Sequence, residues 1–353
     1  MGLLDLPNEI LHQIGIAVSI SYPHLSRLAR VNRRLHAIFE PMLYDLDAEL
    51  EYPEALQWAA KKGNVDTAGK ALARMKRDPL PPNNRGFRPL SRAAMAGQKE
   101  VVKFLIASGR VDINERDNSQ NTPLRLAAVF ADRSMMELLL SVGGADTNYR
   151  EKDGMTVLMA AAWAGRLDNV ELLMSLDGAE PDAQYLSGQT PLACAAEAGH
   201  VDVAKYLIGT GRVDVWKRSN NGFTVLHWAA GNGHKELVEL LLATDGVEPD
   251  ARDNNSCSAL FMAAKGCHRD VVEVLLDLEG ADPNSRDYGS STPLMYAARY
   301  NFELDVVSYL VERGADPHLT NDDGVTAEDI ARTSRNHDVV AFLRGLRECG
   351  ESS

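Results

Sequence analysis

Apolar residues along this chain return at a fixed interval. Leu56, Leu90, Leu124, Leu158, Leu192, Leu226, Leu260 and Leu294 form a column spaced by 34 residues, broken only by Glu328 at the ninth position. Paired alanines keep the same phase: Ala59-Ala60, Ala93-Ala94, Ala127-Ala128, Ala161-Ala162, Ala195-Ala196, Ala229-Ala230, Ala263-Ala264 and Ala297-Ala298. Thr122, Thr156, Thr190, Thr224, Thr292 and Thr326 stand two places before the column position, with Ser258 taking one such place. Tandem repetition keeps phase in this way, and a period of about 20 to 50 residues reads as stacked structural units.

The stretch TVLHWAAGNGHKELVELLL, Thr224 to Leu242, shows what one unit holds. Leu226, Ala229 and Ala230 predict a short first helix whose small residues let another helix approach closely. Gly231-Asn232-Gly233 breaks it. Leu237, Val238, Leu241 and Leu242 then fall on one stripe of a second helix. A hairpin this short cannot bury its apolar face alone, so it needs neighbours of its own kind. Thr-Pro before Leu gives a tight start to the first helix, the hydroxyl capping N–H groups and proline filling the first turn. Gly154, Gly188, Gly222 and Gly324 are expected to supply φ > 0 in the connecting turns. The expected fold is therefore all-α: a solenoid of about nine helix-turn-helix units at period 34.

Four segments follow. Residues 1–48 stand outside the repeat as a small helical domain. Residues 49–82 hold a degenerate first unit, ended by Asp78-Pro79-Leu80-Pro81-Pro82. Residues 83–349 carry the regular array and its terminal capping unit, where Arg344, Arg347 and Glu348 are placed to face solvent. Residues 350–353 are a tail. In the first segment, LLDLPNEILHQIGIAV gives one apolar stripe and LSRLARVNRRLHAIFEPMLYD a second, with Arg27, Arg30, Arg33 and Arg34 mostly on another side and Pro41 as a stop.

Charge narrows the partners. The net charge is −13, and residues 1–50 contribute only −2 of it, with 4 basic and 6 acidic groups, so the acidity is spread along the array. Nucleic acid as main partner is disfavoured, because phosphate binding needs a concentrated basic surface. No apolar run approaches the roughly 18 residues of a membrane span. Asp5, Pro7, Asn8 and Glu9 interrupt the first apolar stretch, so a secretory pattern is absent. Four cysteines in 353 residues do not suggest a disulfide framework, and a cytoplasmic or nuclear protein is expected.

No catalytic motif emerges: no P-loop, strand-borne GxGxxG, HExxH or GxSxG. His200, His234 and His268 share one repeat phase, which sets them roughly 8–10 Å apart, too far for common zinc ligands at about 2.0–2.1 Å. They are read as turn-stabilising residues. Cys257, Cys267 and His268 match no zinc spacing. No enzyme, cofactor or metal is expected.

Two family resemblances add to this. NTPLRLAA from Asn121, QTPLACAAEAGHVDVAKYLI from Gln189 and STPLMYAA from Ser291 resemble the ankyrin-repeat family. Units of that family run to about 33 residues; an extra residue in turns such as GRVDIN (Gly109 to Asn114) and DGAEPD (Asp177 to Asp182) accounts for the longer period. The short GADPH turn (Gly314 to His318) is offset by an added residue near Phe302 to Leu304. The resemblance implies that turn tips, the residue before Thr and the two residues after Ala-Ala line one concave, partner-binding side. On this chain those positions include Met155, Trp163, Tyr185, Leu186, Glu197, Phe223, Lys265 and Arg299, and exposed aromatics there are interface anchors. The alternative is that some of them fold down onto neighbouring units.

The first segment resembles the F-box family, through its LPxEIL opening and a second part of the form LxRLxxVNRRLHxIxxPxLY. That implies an apolar face of Leu4, Leu6, Pro7, Ile10, Leu11, Ile14, Val31 and Leu35 docked on the Skp-family adaptor of a cullin–RING ubiquitin ligase. The array then recruits an unidentified protein substrate. The alternative is a non-enzymatic interaction scaffold whose first 45 residues only cap the solenoid.

Overall fold

The computed structural model describes residues 54–76, 80, 82–83, 85–142, 144–150, 153–278, 281–300 and 304–350, together with Pro7, Tyr44, Asp45, Asp47 and Ala48. The chain divides into two compact units, residues 1–151 and 152–353, a division inside what the sequence reads as one array. Eighteen helices lie between residues 54 and 350, and no strand occurs among the described residues. Unit one holds three hairpins: α1 (Glu54–Lys62) with α2 (Val65–Arg74), α3 (Pro89–Met95) with α4 (Lys99–Ala107), and α5 (Pro123–Phe130) with α6 (Arg133–Ser141). Unit two holds six. They are α7 (Val157–Trp163) with α8 (Leu167–Met174), α9 (Pro191–Ala198) with α10 (Val201–Gly209), and α11 (Val225–Gly231) with α12 (Lys235–Leu242). The last three are α13 (Ala259–Gly266) with α14 (Arg269–Leu276), α15 (Pro293–Tyr300) with α16 (Leu304–Glu312), and α17 (Ala327–Thr333) with α18 (His337–Gly350).

Within each unit the first helices stack on one another, and in unit two the second helices form a parallel layer behind them. The alanine pairs make this possible. All sixteen alanines are fully buried, so neighbouring first helices approach with nothing larger than a methyl group between backbones. The leucine column is buried throughout, each side chain contributing about 1.5–3 kcal/mol of transfer free energy. The second helices add Val101, Val102 and Leu105 in α4, and Leu237, Val238 and Leu241 in α12.

The threonines do what their position predicts. Thr122, Thr156, Thr190 and Thr326 accept hydrogen bonds from the N–H groups of Arg125, Met159, Ala193 and Asp329. Ser258 stands at the same place without a side-chain cap. At α3 the residue is Arg88, which has no capping atom. The carboxylate of Glu115, from the next hairpin, instead faces the N–H groups of Leu90 and Ser91.

Turn tips repeat one tight hairpin. Asp117, Tyr185, Ser219, Asp253, Asp287 and Asn321 each donate from N–H to the carbonyl four residues on. The third residue after each of these starting positions lies in the left-handed region. It is glycine at Gly188 (φ 82) and Gly222 (φ 81), but Gln120, Ser256 and Ser290 adopt the same conformation. A Cβ on Gly188 or Gly222 would lie under 3 Å from the backbone N of Asn220 or Asn254, so glycine is needed there for the close approach of the next tip as well as for φ. Successive tips are tied by single backbone hydrogen bonds: Leu186 to Asp153, Asn220 to Ser187, Asn254 to Asn221, Tyr288 to Asn255 and Asp322 to Gly289.

Glu328, the residue that breaks the leucine column, is 5% exposed. Arg332 reaches it at 2.5 Å and Arg344, from α18, at 3.4 Å. The last hairpin thus replaces a buried leucine by an ion pair, and Arg344 reaches it while facing solvent, as its position predicts. Arg347 and Glu348 lie outside the described side chains.

Candidate functional site

The histidines assigned to the turns are spacers between neighbouring hairpins. His200, His234 and His268 set Nε2 at 3.0, 3.0 and 3.1 Å from the carbonyls of Trp163, Glu197 and Gly231, at the end of the preceding first helix. Each ring covers the Cα of Gly165, Gly199 or Gly233 so closely that a Cβ would lie 2.4–2.5 Å from a ring atom. In unit one Gln98 makes the same reach with its amide, 3.2 Å to Lys61 O, over Gly63. Arginines tie the far side: Arg110 to Leu72 O, Arg212 to Met174 O and Arg313 to Leu276 O, at 2.6–2.8 Å. These arginines bind the terminal carbonyls of the previous second helix, where cations are favoured.

His227 occupies the centre of its hairpin. Nδ1 accepts from the Thr224 N–H at 3.2 Å and lies 2.8 Å from the Thr224 hydroxyl. Nε2 therefore carries the proton and donates to Cys257 O, 3.0 Å away in the next hairpin. Burial pushes its pKa down, so the ring is a neutral structural bridge. Gln57 plays the equivalent part in the first hairpin, donating to Phe87 O at 3.0 Å.

With these groups committed to the frame, the expected partner-binding residues divide into two sets. Trp163 and Leu186 are exposed, at 53% and 70%, and so are Lys265 and Arg299. Met155, Tyr185, Glu197 and Phe223 are half-buried. Phe223 stacks on the His227 ring, centroids 5.3 Å apart at 20°, and tilts against Trp228 at 5.1 Å. It folds down onto its own hairpin because His227, pinned at both nitrogens, offers it a fixed flat surface. Met155 and Tyr185 pack against the buried cluster of Met159, Ala183 and Cys194. The Tyr185 hydroxyl bonds Gln189 Oε1, Ser187 donates to the same oxygen, and the Gln189 amide holds Glu197 at 2.7 Å. The fold thus joins Met155, Tyr185 and Glu197 into one polar-edged patch across two hairpins.

Lys265 and Arg299 come from consecutive first helices. The Lys265 ammonium lies 5.3 Å from the centroid of Tyr300. Arg299 borders a cavity of about 90 Å³ shared with Ser291, Met295, Tyr296, Tyr300 and Ile330. Of the eight residues assigned to an adaptor face, Pro7 is exposed; Leu4, Leu6, Ile10, Leu11, Ile14, Val31 and Leu35 lie outside the described residues.

Trp58, Phe130, Trp216, Tyr288 and Tyr300 are further exposed aromatics. Phe130 and Tyr300 were legible as the second residue after Ala-Ala, and Tyr288 as a turn tip. Trp216 had no such signal: it sits in the turn after a second helix, its ring lying over Gly246.

Burial pushes the thiols of Cys194 and Cys257 up to about 12 and 11, so both stay protonated at neutral pH. Among the described residues no group of three or more His, Cys, Asp or Glu side chains is arranged to hold a metal ion, and no helix is long and apolar enough to cross a membrane.

A stack of short hairpins, its polar groups spent on joining neighbours and its variable side chains left at helix ends and tips, defines a repeat-built protein-interaction module. The family model described as "Ankyrin repeats (3 copies)" matches residues 27–117, 109–185, 176–253, 212–287, 243–321 and 260–350. The chain belongs to the ankyrin-repeat family. Its first match begins within the F-box-like segment, and none of these matches is to the F-box. A search of curated proteins finds no match.

Proposed function

We propose that this chain is the substrate-receptor subunit of a cullin–RING ubiquitin ligase. Residues 1–45 dock on a Skp-family adaptor, and the face formed by first-helix ends and turn tips holds a protein target. The mechanism is proximity, raising the target's effective concentration near the ligase. The observation that carries the adaptor half is the pairing of LPNEIL with the VNRRLHAIFEPMLY segment. Support for a firm connection between the two parts comes from the junction. Asp47 accepts the N–H groups of Glu54 and Ala55 at 2.8 and 3.0 Å, Asp45 pairs with Arg74 at 2.9 Å, and Arg74 lies over the Tyr44 ring. These contacts hold Tyr44, Asp45 and Asp47 to the first hairpin.

The same junction favours a second reading, in which residues 1–45 only cap the first hairpin of an interaction scaffold. Co-purification separates the two. Full-length protein is expected to bring down the Skp-family adaptor, and the double variant Leu6→Ala, Pro7→Ala is expected to lose it with an unchanged unfolding temperature. Absence of the adaptor from the wild-type sample rejects the ligase reading and leaves the scaffold.

A further inference from the structure

The partner face of residues 152–353 changes character along its length. At the first position after Ala-Ala, successive hairpins present Trp163, Glu197, Gly231, Lys265 and Arg299. The run therefore ends on two cations in adjacent rungs. This is unexpected in a chain where Asp and Glu outnumber Lys and Arg 50 to 37. Elsewhere in this unit several arginines pair with carboxylates, Arg252 with Asp250, Arg269 with Asp305, Arg313 with Asp277, and Arg332 with Glu328 and Asp329, and Arg212, Arg218 and Arg286 bind main-chain carbonyls. Lys265 and Arg299 form no ion pair among the described residues.

Their surroundings are built. Tyr300 lies beneath the Lys265 ammonium and, with Tyr296, walls the small cavity that Arg299 borders. Tyr296 is fixed in turn, its hydroxyl donating to Asp287 at 2.9 Å and its ring meeting Phe261 edge-on at 5.3 Å. Two cations beside aromatic walls select carboxylates, because a charge-assisted hydrogen bond to a guanidinium or ammonium gains strength next to a low-dielectric surface. A nucleic-acid polymer is disfavoured by the chain's net charge of −13.

Resting on the partner-face reading above, we propose that Lys265 and Arg299 select an acidic segment of the target protein, bound extended along the first-helix ends. Adjacent rungs are roughly 8–10 Å apart, and a chain extended as polyproline II rises about 3.1 Å per residue with three residues per turn, so its side chains i and i+3 share one face. The two cations therefore match carboxylates three residues apart.

The test uses the full chain and a displayed library of random twelve-residue peptides, with affinities of enriched peptides then measured by fluorescence anisotropy. The expected result is enrichment of Asp or Glu at positions i and i+3. The double variant Lys265→Glu, Arg299→Glu should weaken these peptides by about tenfold or more, and peptides with lysine at both acidic positions should regain binding to it. Both side chains are exposed, so the variant's unfolding temperature serves as the folding control. Selection without acidic bias, or affinities within twofold in the double variant, overturns the proposal. If Trp163→Ala abolishes such peptides while the double variant does not, the partner face stands and its acidic preference falls. If neither variant matters, or the library yields no binder, both fall.

Discussion

The hairpins opened by Thr224 and by Arg88 solve one problem in two ways. Both must satisfy the free N–H groups at the start of a buried first helix. At Thr224 the solution is short-range: hydroxyl and backbone meet His227 three residues on, and the same ring bridges to the next hairpin. At Arg88 no local group is available, and Glu115, 9% exposed, supplies a carboxylate from the following turn. The first arrangement is neutral and complete. The second buries a charge whose Oε1 finds no hydrogen-bond partner. A repeat can thus lose a residue of its pattern and keep its shape, provided a neighbour supplies the missing atom at an electrostatic cost.

The largest effect is expected where the solution is complete. His227→Ala leaves the Thr224 N–H buried without a partner, takes from the Cys257 carbonyl one of its two donors and opens a cavity, for a loss of about 2–4 kcal/mol. His227→Gln should recover part of it, since Gln57 bridges hairpins with an amide. Denaturant unfolding measures both, and equal losses for Ala and Gln would show that the bridge is not what the ring contributes.

At Glu115 the signature is pH dependence. Burial lifts its carboxyl from 4.5 to about 7, against the opposing pull of Arg88 and the Leu90 and Ser91 N–H groups. The folded state therefore holds a proton that the unfolded state releases between pH 4.5 and 7. Stability falls as pH rises through that window, and the loss is complete above 7, reaching on the order of 2–3 kcal/mol. Glu115→Gln should flatten this part of the profile and stabilise the protein at pH 8. Unfolding curves at pH 5 and 8 check it; an unchanged slope would mean Glu115 is already ionised in the fold.

A smaller effect is expected at Glu328. Restoring the column with Glu328→Leu exchanges an ion pair for apolar packing and should be neutral or stabilising by about 1–2 kcal/mol. Glu328→Ala should destabilise, because it empties a buried position without refilling it, while Arg332 and Arg344 are more than half exposed and Arg332 keeps Asp329. A destabilising leucine would show that Arg344 needs the carboxylate to seat α18.

What the sequence disclosed follows from how each contact is made. The leucine column, the alanine pairs and the threonine caps were legible because one residue type does one local job in every unit. His200, His234 and His268 were legible as structural because they recur, but as turn-stabilising residues and not as bridges between neighbouring hairpins. Gln98 doing the same work over Gly63 and Glu115 standing in for a threonine carry no repeated letter, and Arg212, reaching a carbonyl 38 residues back, shares its phase with Arg110 three periods earlier and with glycine between. Phe223, for which the sequence left an exposed anchor and a folded-down side chain both open, is half-buried for a related reason: exposure depends on whether a flat neighbour lies beneath, and His227 provides one. Trp163 and Leu186 have no such neighbour and remain open.

The central claim is that the array and the first segment do separate jobs: the hairpins stand as a frame, and residues outside the 34-residue phase bring the adaptor. Deleting residues 1–40, which leaves Tyr44, Asp45 and Asp47 in place to close the first hairpin, tests it most directly. With unfolding temperature and adaptor co-purification read on the same preparation, we expect the adaptor to be lost while the unfolding temperature stays within about 2 °C, the shift of a few tenths of a kcal/mol. A fall of 10 °C or more, with the intact chain bringing down no adaptor, would contradict the claim and make the segment a cap.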